Sequence, residues 1–304
     1  MKQLYNLYSK IAKGAYQIGF LNEDMKDVVH SIKTYKHVNW VNTKGYDNGW
    51  FADPFIYDVK EDIIEVLAEE LVYKENKGRI SFLVINRKDY SLVDVQPILE
   101  LENHLSFPYI IRQDDNIYVM PENNQSGSLK IYIVNPINHH LESPKVLVDE
   151  PLVDSQFFEL NGKCYIFGIP YANDNFQNTK RVKIYVSDSF LGPYNYQSSI
   201  VSYLRDKRGA GSIFLQDGKL IRPTQLCEGG YGKGVCFYEL KKGDDNCFVE
   251  DLIGQMLPDV WSRYPLQLHT YNEYKGLQII DGYAYSKPVF RHILNCVKIV
   301  KHYI

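Results

Sequence analysis

The chain has 304 residues, 45% hydrophobic and 23% charged, with a net charge of −3. Basic and acidic residues are interspersed, so no phosphate-tracking footprint of a nucleic-acid-binding protein is present, and nowhere do 18 apolar residues run together as a bilayer span requires. The 25 Tyr and 14 Phe against 4 Met lean toward strands and sugar-stacking surfaces.

Residues 2 to 32 carry apolar positions at helical spacing: Tyr5, Tyr8, Ile11, Ala12 and Ala15, with Asn22 placed to cap a second short helix through Val29. The expectation is an N-terminal helical cap over residues 1–35, packed on a separate unit spanning 36–304. No apolar core of a signal peptide follows the first residues, which points to a cytoplasmic protein, peripheral to a membrane at most.

From residue 50 onward a unit of strand, tight polar turn and strand recurs. It begins with Phe55-Ile56-Tyr57, and returns at Tyr109, Phe157, Ile213 and Thr270, with spacings of 54, 48, 56 and 57 residues. Asn161-Gly162 and Asp217-Gly218 are strong two-residue hairpin signals, and Lys275-Gly276 marks the weaker fifth copy. Each hairpin is followed by a third β-rich run, the last being Val289 to Val300, and segments such as Val95 to Leu101, Pro144 to Val148 and Tyr194 to Ser202 supply an outer strand. Four strands repeated five times predict an all-β fold, a five-bladed β-propeller with a short N-terminal helical segment. A pair of β-sandwiches would also give many short strands, but not the fivefold recurrence. The final blade lacks an outer strand, and Lys36 to Asn42 is predicted to close the ring.

The five cysteines, Cys164, Cys227, Cys236, Cys247 and Cys296, are irregularly spaced and form no Cys-x-x-Cys pair, so they read as reduced, mostly buried thiols. The glycine stretches at Gly209-Ala210-Gly211 and Gly229-Gly230-Tyr231-Gly232 lack the strand-to-helix context of a phosphate loop and read as tight turns.

In a propeller the innermost strands line one channel, so polar residues at their starts converge although distant in sequence. These positions are Asp53, His104 with Ser106, Asp154 with Ser155, Arg208 with Ser212, and His269. The returning strands end in Glu69 and Glu70, in Glu122, and in Arg222 with Gln225, a second tier at the rim. Several carboxylates in one channel suit glycosidic chemistry, in which one protonates the leaving oxygen while another activates water or attacks the anomeric carbon. Asp53, Asp154 and Glu122 are the catalytic candidates. Glu70, His104, Ser106, Arg208, Arg222, Gln225 and His269 are the substrate-binding ones. Each also has a plain structural reading: a turn-capping Asp before Pro54, a strand-start turn at Asp154, a solvated loop at Glu122, satisfied histidines. Arg208 and Arg222 either neutralise an anionic ligand group or pair with the channel acids. Two histidines, His104 and His269, without a third ligand at metal spacing make a weak metal site, so no metal and no cofactor are expected.

The ordered motifs Trp50-Phe51-Ala52-Asp53-Pro54-Phe55, His104-Leu105-Ser106-Phe107-Pro108, Met120-Pro121-Glu122, Leu191-Gly192-Pro193 and Arg222-Pro223 with Gln225 resemble the N-terminal propeller region of glucosamine inositolphosphorylceramide transferases, over about residues 36 to 285. That region is similar in fold to glycoside hydrolase families 43, 32 and 68. The resemblance implies that Asp53 is base or nucleophile and Asp154 the orienting acid, with Glu122 or Glu70 as proton donor. It implies a glycosyl hydrolase or transferase in assembly of a cell-surface polysaccharide or glycolipid, with a sugar or glycoconjugate, nucleotide- or lipid-linked, as partner. A non-catalytic glycan-binding propeller that supports a partner glycosyltransferase is the alternative.

Overall fold

A computed structural model describes residues 14–21, 29, 32–35, 37–171, 181–201, 207–228, 230–243 and 247–285. Three short strands come first: β1 (Gly14–Leu21), β2 (Ile32–Tyr35) and β3 (Asn39–Trp40). Blade one is β4 (Gly49–Val59), β5 (Ile63–Val72), β6 (Lys77–Asn86) and β7 (Leu92–Leu99); blade two is β8 (Ser106–Gln113), β9 (Asn116–Glu122), β10 (Leu129–Val134) and β11 (Leu141–Val148). Blade three is β12 (Leu152–Leu160), β13 (Lys163–Pro170), β14 (Arg181–Ser187) and β15 (Asn195–Val201). Blade four is β16 (Phe214–Gln216), β17 (Lys219–Leu226), β18 (Gly234–Lys242) and β19 (Phe248–Pro258), and blade five starts with β20 (Tyr271–Tyr274) and β21 (Leu277–Tyr285). The fold is the expected five-bladed all-β propeller.

The hairpins form where the turn residues dictate. Asn161-Gly162 has φ of 53° and 71°, Asp217-Gly218 of 49° and 75°, and Lys275-Gly276 of 52° and 76°. Positive φ at both central positions matches the right-handed twist of the flanking strands.

The ring is closed from the N-terminal side, and here the expectation needs correction. β1 pairs antiparallel with β21 from Gly14↔Tyr285 to Leu21↔Gln278, filling the third position of blade five. β3 then pairs with β1 through Gly19↔Trp40 and Phe20↔Asn39, so part of the segment assigned to ring closure does form the outer strand. β2 runs parallel to β19 as a fifth strand on blade four. Residues 14–21 and 32–35 are therefore strand, not helical cap. Residues 1–13, 22–28 and 30–31 of the predicted cap, and the run Val289 to Val300, lie outside the described residues. The physical reason is that Gly14 and Gly19 disfavour a helix, while Gly19 leaves room for Val38 and Trp40 to pack flat on the strand.

Apolar residues alternate along each strand and pack between neighbouring blades. On β5, Leu67 joins the core shared with blade two, whereas Ile64, Val66 and Ala68 join the core shared with blade five. This alternation sends consecutive acidic residues at the end of β5 in opposite directions.

Candidate active site

The same backbone device appears at the start of three inner strands. In blade one the register runs from Ala52↔Glu69 to Phe55↔Leu67, in blade two from Ser106↔Glu122 to Tyr109↔Met120, and in blade three from Val153↔Ile169 to Gln156↔Phe167. Each advances three residues on the inner strand against two on its partner, a β-bulge. At each bulge one residue has positive φ: Asp53 at 48°, Phe107 at 45° and Asp154 at 43°. Left-handed backbone at a non-glycine residue is uncommon and is held only by its surroundings. Here it re-aims two aspartates into the channel mouth.

The surroundings are explicit. Asp53 Oδ2 accepts the Phe107 backbone N–H at 3.2 Å, and Oδ1 accepts the Thr270 hydroxyl at 2.8 Å. Asp154 Oδ2 accepts Arg208 Nε–H at 2.6 Å and Gln225 Nε2–H at 2.9 Å. The Asp154 backbone N–H donates to Glu122 Oε2 at 3.0 Å, and Arg208 Nη2 stands 3.6 Å from the same oxygen. His269 Nε2 lies 3.8 Å from Asp53 Oδ1, and its Nδ1 donates to Asp281 Oδ2 at 2.5 Å. Asp281 also accepts the backbone N–H groups of His269, Thr270 and Asp53, joining blade five to blade one.

Electrostatics follow from crowding charges in a dry place. Burial pushes the Asp53 carboxyl up to about 7, with Glu69, Asp154 and Asp281 adding and His269 opposing. Burial likewise takes Asp154 to about 8, partly offset by Arg208. For His269 burial favours the neutral ring, but Asp281 and Asp53 outweigh it and raise the imidazole to about 9. The ring is therefore a buried imidazolium, stacked on Tyr16 at 4.6 Å between centroids with 9° between planes.

Most of the residues singled out from the sequence converge here: Asp53, Asp154, Glu122, Arg208, Gln225 and His269. Ser106 is buried opposite Glu122 in the strand register. His104 sits at the rim, its Nδ1 accepting the Gly78 N–H at 3.0 Å and its Nε2 facing Glu69 Oε1 at 3.1 Å. Two candidates point elsewhere. Glu70 faces blade five, where Arg79 reaches both its oxygens at 3.0 and 2.9 Å and Ser81 and Tyr46 complete its hydrogen bonds. Its neighbour Glu69 faces the channel side instead. Arg222 is buried between blades three and four, donating to Gln156 Oε1 at 2.7 Å, Glu250 Oε1 at 2.6 Å and the Lys207 carbonyl at 2.6 Å. Its ion pair is thus with Glu250 of the outer strand β19 rather than with Asp53, Asp154 or Glu122.

Asp281, Thr270 and Tyr16 join the cluster without standing among the residues expected there. Asp281 was within reach: it lies on the fifth returning strand, as Glu69 and Glu122 lie on the first and second. Asp53, His269 and Asp281 also bring one potential metal-ligand atom each within 4.8 Å of one another, a spacing a cation could bridge. In the structure they satisfy one another and neighbouring donors by hydrogen bonds.

Residues 34–257 match the sequence profile of the N-terminal region of glucosamine inositolphosphorylceramide transferase 1. The chain is similar to the glucosamine inositolphosphorylceramide transferase 1 of Oryza sativa subsp. japonica, 30% identical over 204 residues, 65% of this chain and 27% of that protein. To its Arabidopsis thaliana counterpart it is 31% identical over 202 residues, 63% of this chain and 25% of that protein. The aligned part thus spans about a quarter of the length of these relatives. In fold it resembles Cellvibrio cellulosa alpha-L-arabinanase complexed with arabinohexaose, with a TM-score of 0.51 at 17% identity, covering 70% of this chain and 82% of that one. A second structure of that arabinanase gives a TM-score of 0.50 at 15% identity over 66% and 77%. At these identities the likeness is one of fold alone.

Proposed function

The chain belongs to the family of the glucosamine inositolphosphorylceramide transferase 1 N-terminal region, and from that premise we propose that it is carbohydrate-active, taking a sugar or glycoconjugate at the channel mouth and hydrolysing or transferring a glycosyl unit. One observation carries the reading: Asp53 and Asp154 sit on matching bulges of blades one and three, both buried, with carboxyls held near neutrality at about 7 and about 8. A carboxyl poised near the working pH can both take and give a proton in a transition state. Asp53, facing the His269 imidazolium, is the base or nucleophile. Asp154, tied to Arg208 and Gln225, orients the neighbouring acids. Glu122 is the proton donor in this scheme, with Glu69 as the other carboxylate turned toward the channel.

The relatives named above are glycolipid-modifying by their names, and on that ground we assign the substrate to a nucleotide- or lipid-linked sugar in surface polysaccharide or glycolipid assembly, on the cytoplasmic side. Among the described residues no helix is long and apolar enough to cross a membrane.

A second reading has its own support. Asp154 Oδ2 is taken by two donors and Glu122 Oε2 by the Asp154 N–H, an arrangement that also suits a glycan-binding propeller with no turnover, serving a partner glycosyltransferase. Mass-spectrometric search for product from nucleotide sugars, lipid-linked sugars and aryl glycosides, with the wild type and Asp53→Asn, separates the two. Turnover lost in the variant supports the enzyme. Saturable glycan binding without turnover in either protein supports the binding module.

A further inference from the structure

Asp53, Asp154 and His269 are only 5, 4 and 2% exposed, so in this conformation no sugar ring reaches them. Tyr231 is 44% exposed and yet touches the same cluster. Its ring stands edge-on to His269 at 5.3 Å between centroids and 88° between planes, and the Arg208 guanidinium lies 5.6 Å from its centroid. The phenol is near enough to Arg208, Asp53, Asp154 and Glu69 to feel all four charges. The side chain therefore runs from solvent down into the place where the carboxylates converge.

The segment that carries it has a glycine on either side of the ring. Tyr231 lies in Gly230-Tyr231-Gly232 between β17 and β18, with Gly230 at φ 141° and Gly232 at φ 66°, backbone that glycine adopts without a Cβ penalty. The loop base is tied by Gly230 N–H to the Cys227 carbonyl at 3.1 Å and Lys233 N–H to the Leu226 carbonyl at 2.8 Å. Across the mouth a side-chain latch holds it: Gln267 Nε2 donates to the Tyr231 carbonyl at 2.9 Å, and the Tyr16 hydroxyl fixes Gln267 Oε1 at 2.6 Å.

We propose that Tyr231 is a gate: it closes the channel mouth over Asp53 and Asp154 and swings out on its glycine loop to admit a sugar ring, against which its aromatic face then stacks. The proposal rests on the carbohydrate reading for the identity of the guest, but not for the motion. A ring with an apolar face and a polar tip suits both positions, plugging a polar cluster when closed and covering a sugar's C–H face when open. Binding then costs the free energy of opening, so the gate lowers apparent affinity by the fraction of molecules that are open.

The test is chemical access and uses no sugar. The folded protein is treated with a water-soluble carbodiimide and glycine ethyl ester near pH 6, and labelling of individual carboxyls is followed by peptide mass spectrometry. Tyr231→Ala is expected to speed labelling of Asp53 and Asp154 by about tenfold or more, as removal of a gate with a minor open state requires. Tyr231→Phe keeps the ring and should label as slowly as the wild type. Gln267→Leu releases the latch, leaves the ring in place and should label at an intermediate rate, which also covers the case in which Tyr231→Ala fails to fold. Asp281, fully buried behind His269, is the internal reference and should stay unlabelled throughout. Equal rates at Asp53 and Asp154 in all four proteins would overturn the gate, as would labelling of Asp281 in step with them. Gated labelling with no glycan bound or turned over by any of the proteins would keep the gate and remove the carbohydrate reading.

Discussion

Asp281 holds His269 in its charged form: the ring donates Nδ1–H to Asp281 Oδ2 at 2.5 Å while Asp281 Oδ1 accepts the His269 backbone N–H at 3.0 Å. Burial favours the neutral form of each group, but the pairing wins, so Asp281 is held below its ordinary 3.8 and His269 is raised to about 9. A depressed carboxylate contributes stability above its unfolded pKa and loses it as pH falls through the folded one. A raised imidazole contributes fully below its unfolded 6.5 and loses it as pH rises through about 9. Asp281→Asn should therefore cost about 3–5 kcal/mol, the range for breaking one side of a buried pair. The loss should be largest between roughly pH 4 and 6.5 and shrink toward pH 9. Denaturant unfolding across that range checks it, and histidine NMR should show the His269 pKa falling.

Asp53 works in the opposite sense. Burial raises its carboxyl to about 7 from 3.8, so the stability it contributes is complete below 3.8 and is lost as pH rises through about 7. Asp53→Asn imitates the protonated form and should make the protein more stable than the wild type at pH 8 by on the order of 1–2 kcal/mol, the direction expected where a site is tuned for function. At pH 4 the two proteins should unfold alike. A variant less stable than the wild type at pH 8 would show that Asp53 is a structural carboxylate.

The repeat made the blades legible because the hairpin turns have a local chemistry that survives in any context: Asn161-Gly162 and Asp217-Gly218 turn where they stand. The channel positions followed from the blades, since the start of an inner strand has one place to go. The outer strand of blade five was legible in part, since Asn39–Trp40 lies in the predicted closing segment, but its third strand was not. β1 depends on β21, more than 250 residues away in sequence, and its apolar residues show a spacing that fits a helix as well as a strand. Direction within a strand was the other blind spot. Glu69 and Glu70 are chemically alike, and only the β5 register, anchored by Leu67 facing blade two, decides which one meets the channel side. The pairing of Arg222 was hidden in the same way, because its partner Glu250 comes from the outer strand β19.

That difference between neighbours can be measured at His104. Its imidazole is raised above the ordinary 6.5, first through its hydrogen bond to Glu69 and against the effect of burial. Glu69→Gln should return the His104 pKa toward 6.5, observed by NMR titration, with little loss of stability because His104 is half exposed. Glu70→Gln should leave the His104 titration unchanged and instead destabilise the fold by about 2 kcal/mol, since buried Glu70 is the carboxylate shared by Arg79, Ser81 and Tyr46, while Arg79 keeps its pair with Glu100. If Glu70→Gln moved the His104 pKa as far as Glu69→Gln does, the assignment of the two side chains to opposite faces would be wrong.

Arg222 and Glu250 give the sharpest separation of structure from function. The pair is 2.6 Å apart and almost fully buried, and Lys207 adds a second cation on Glu250 at 2.6 Å. Burial would raise the Glu250 carboxyl, but Arg222 and Lys207 hold it below its usual value. Glu250→Gln should cost about 3–5 kcal/mol at neutral pH because it leaves buried cations without their counter-charge. Replacing both partners, Arg222→Met with Glu250→Met, removes both desolvation costs and should be less damaging than either single change, a favourable coupling that a double-mutant cycle reads directly. The folded double variant should retain whatever glycan binding or turnover the wild type has, because neither side chain reaches the channel mouth. Loss of that activity with the fold intact would return Arg222 to the site and place the ligand deeper between blades three and four than the bulges on Asp53 and Asp154 indicate.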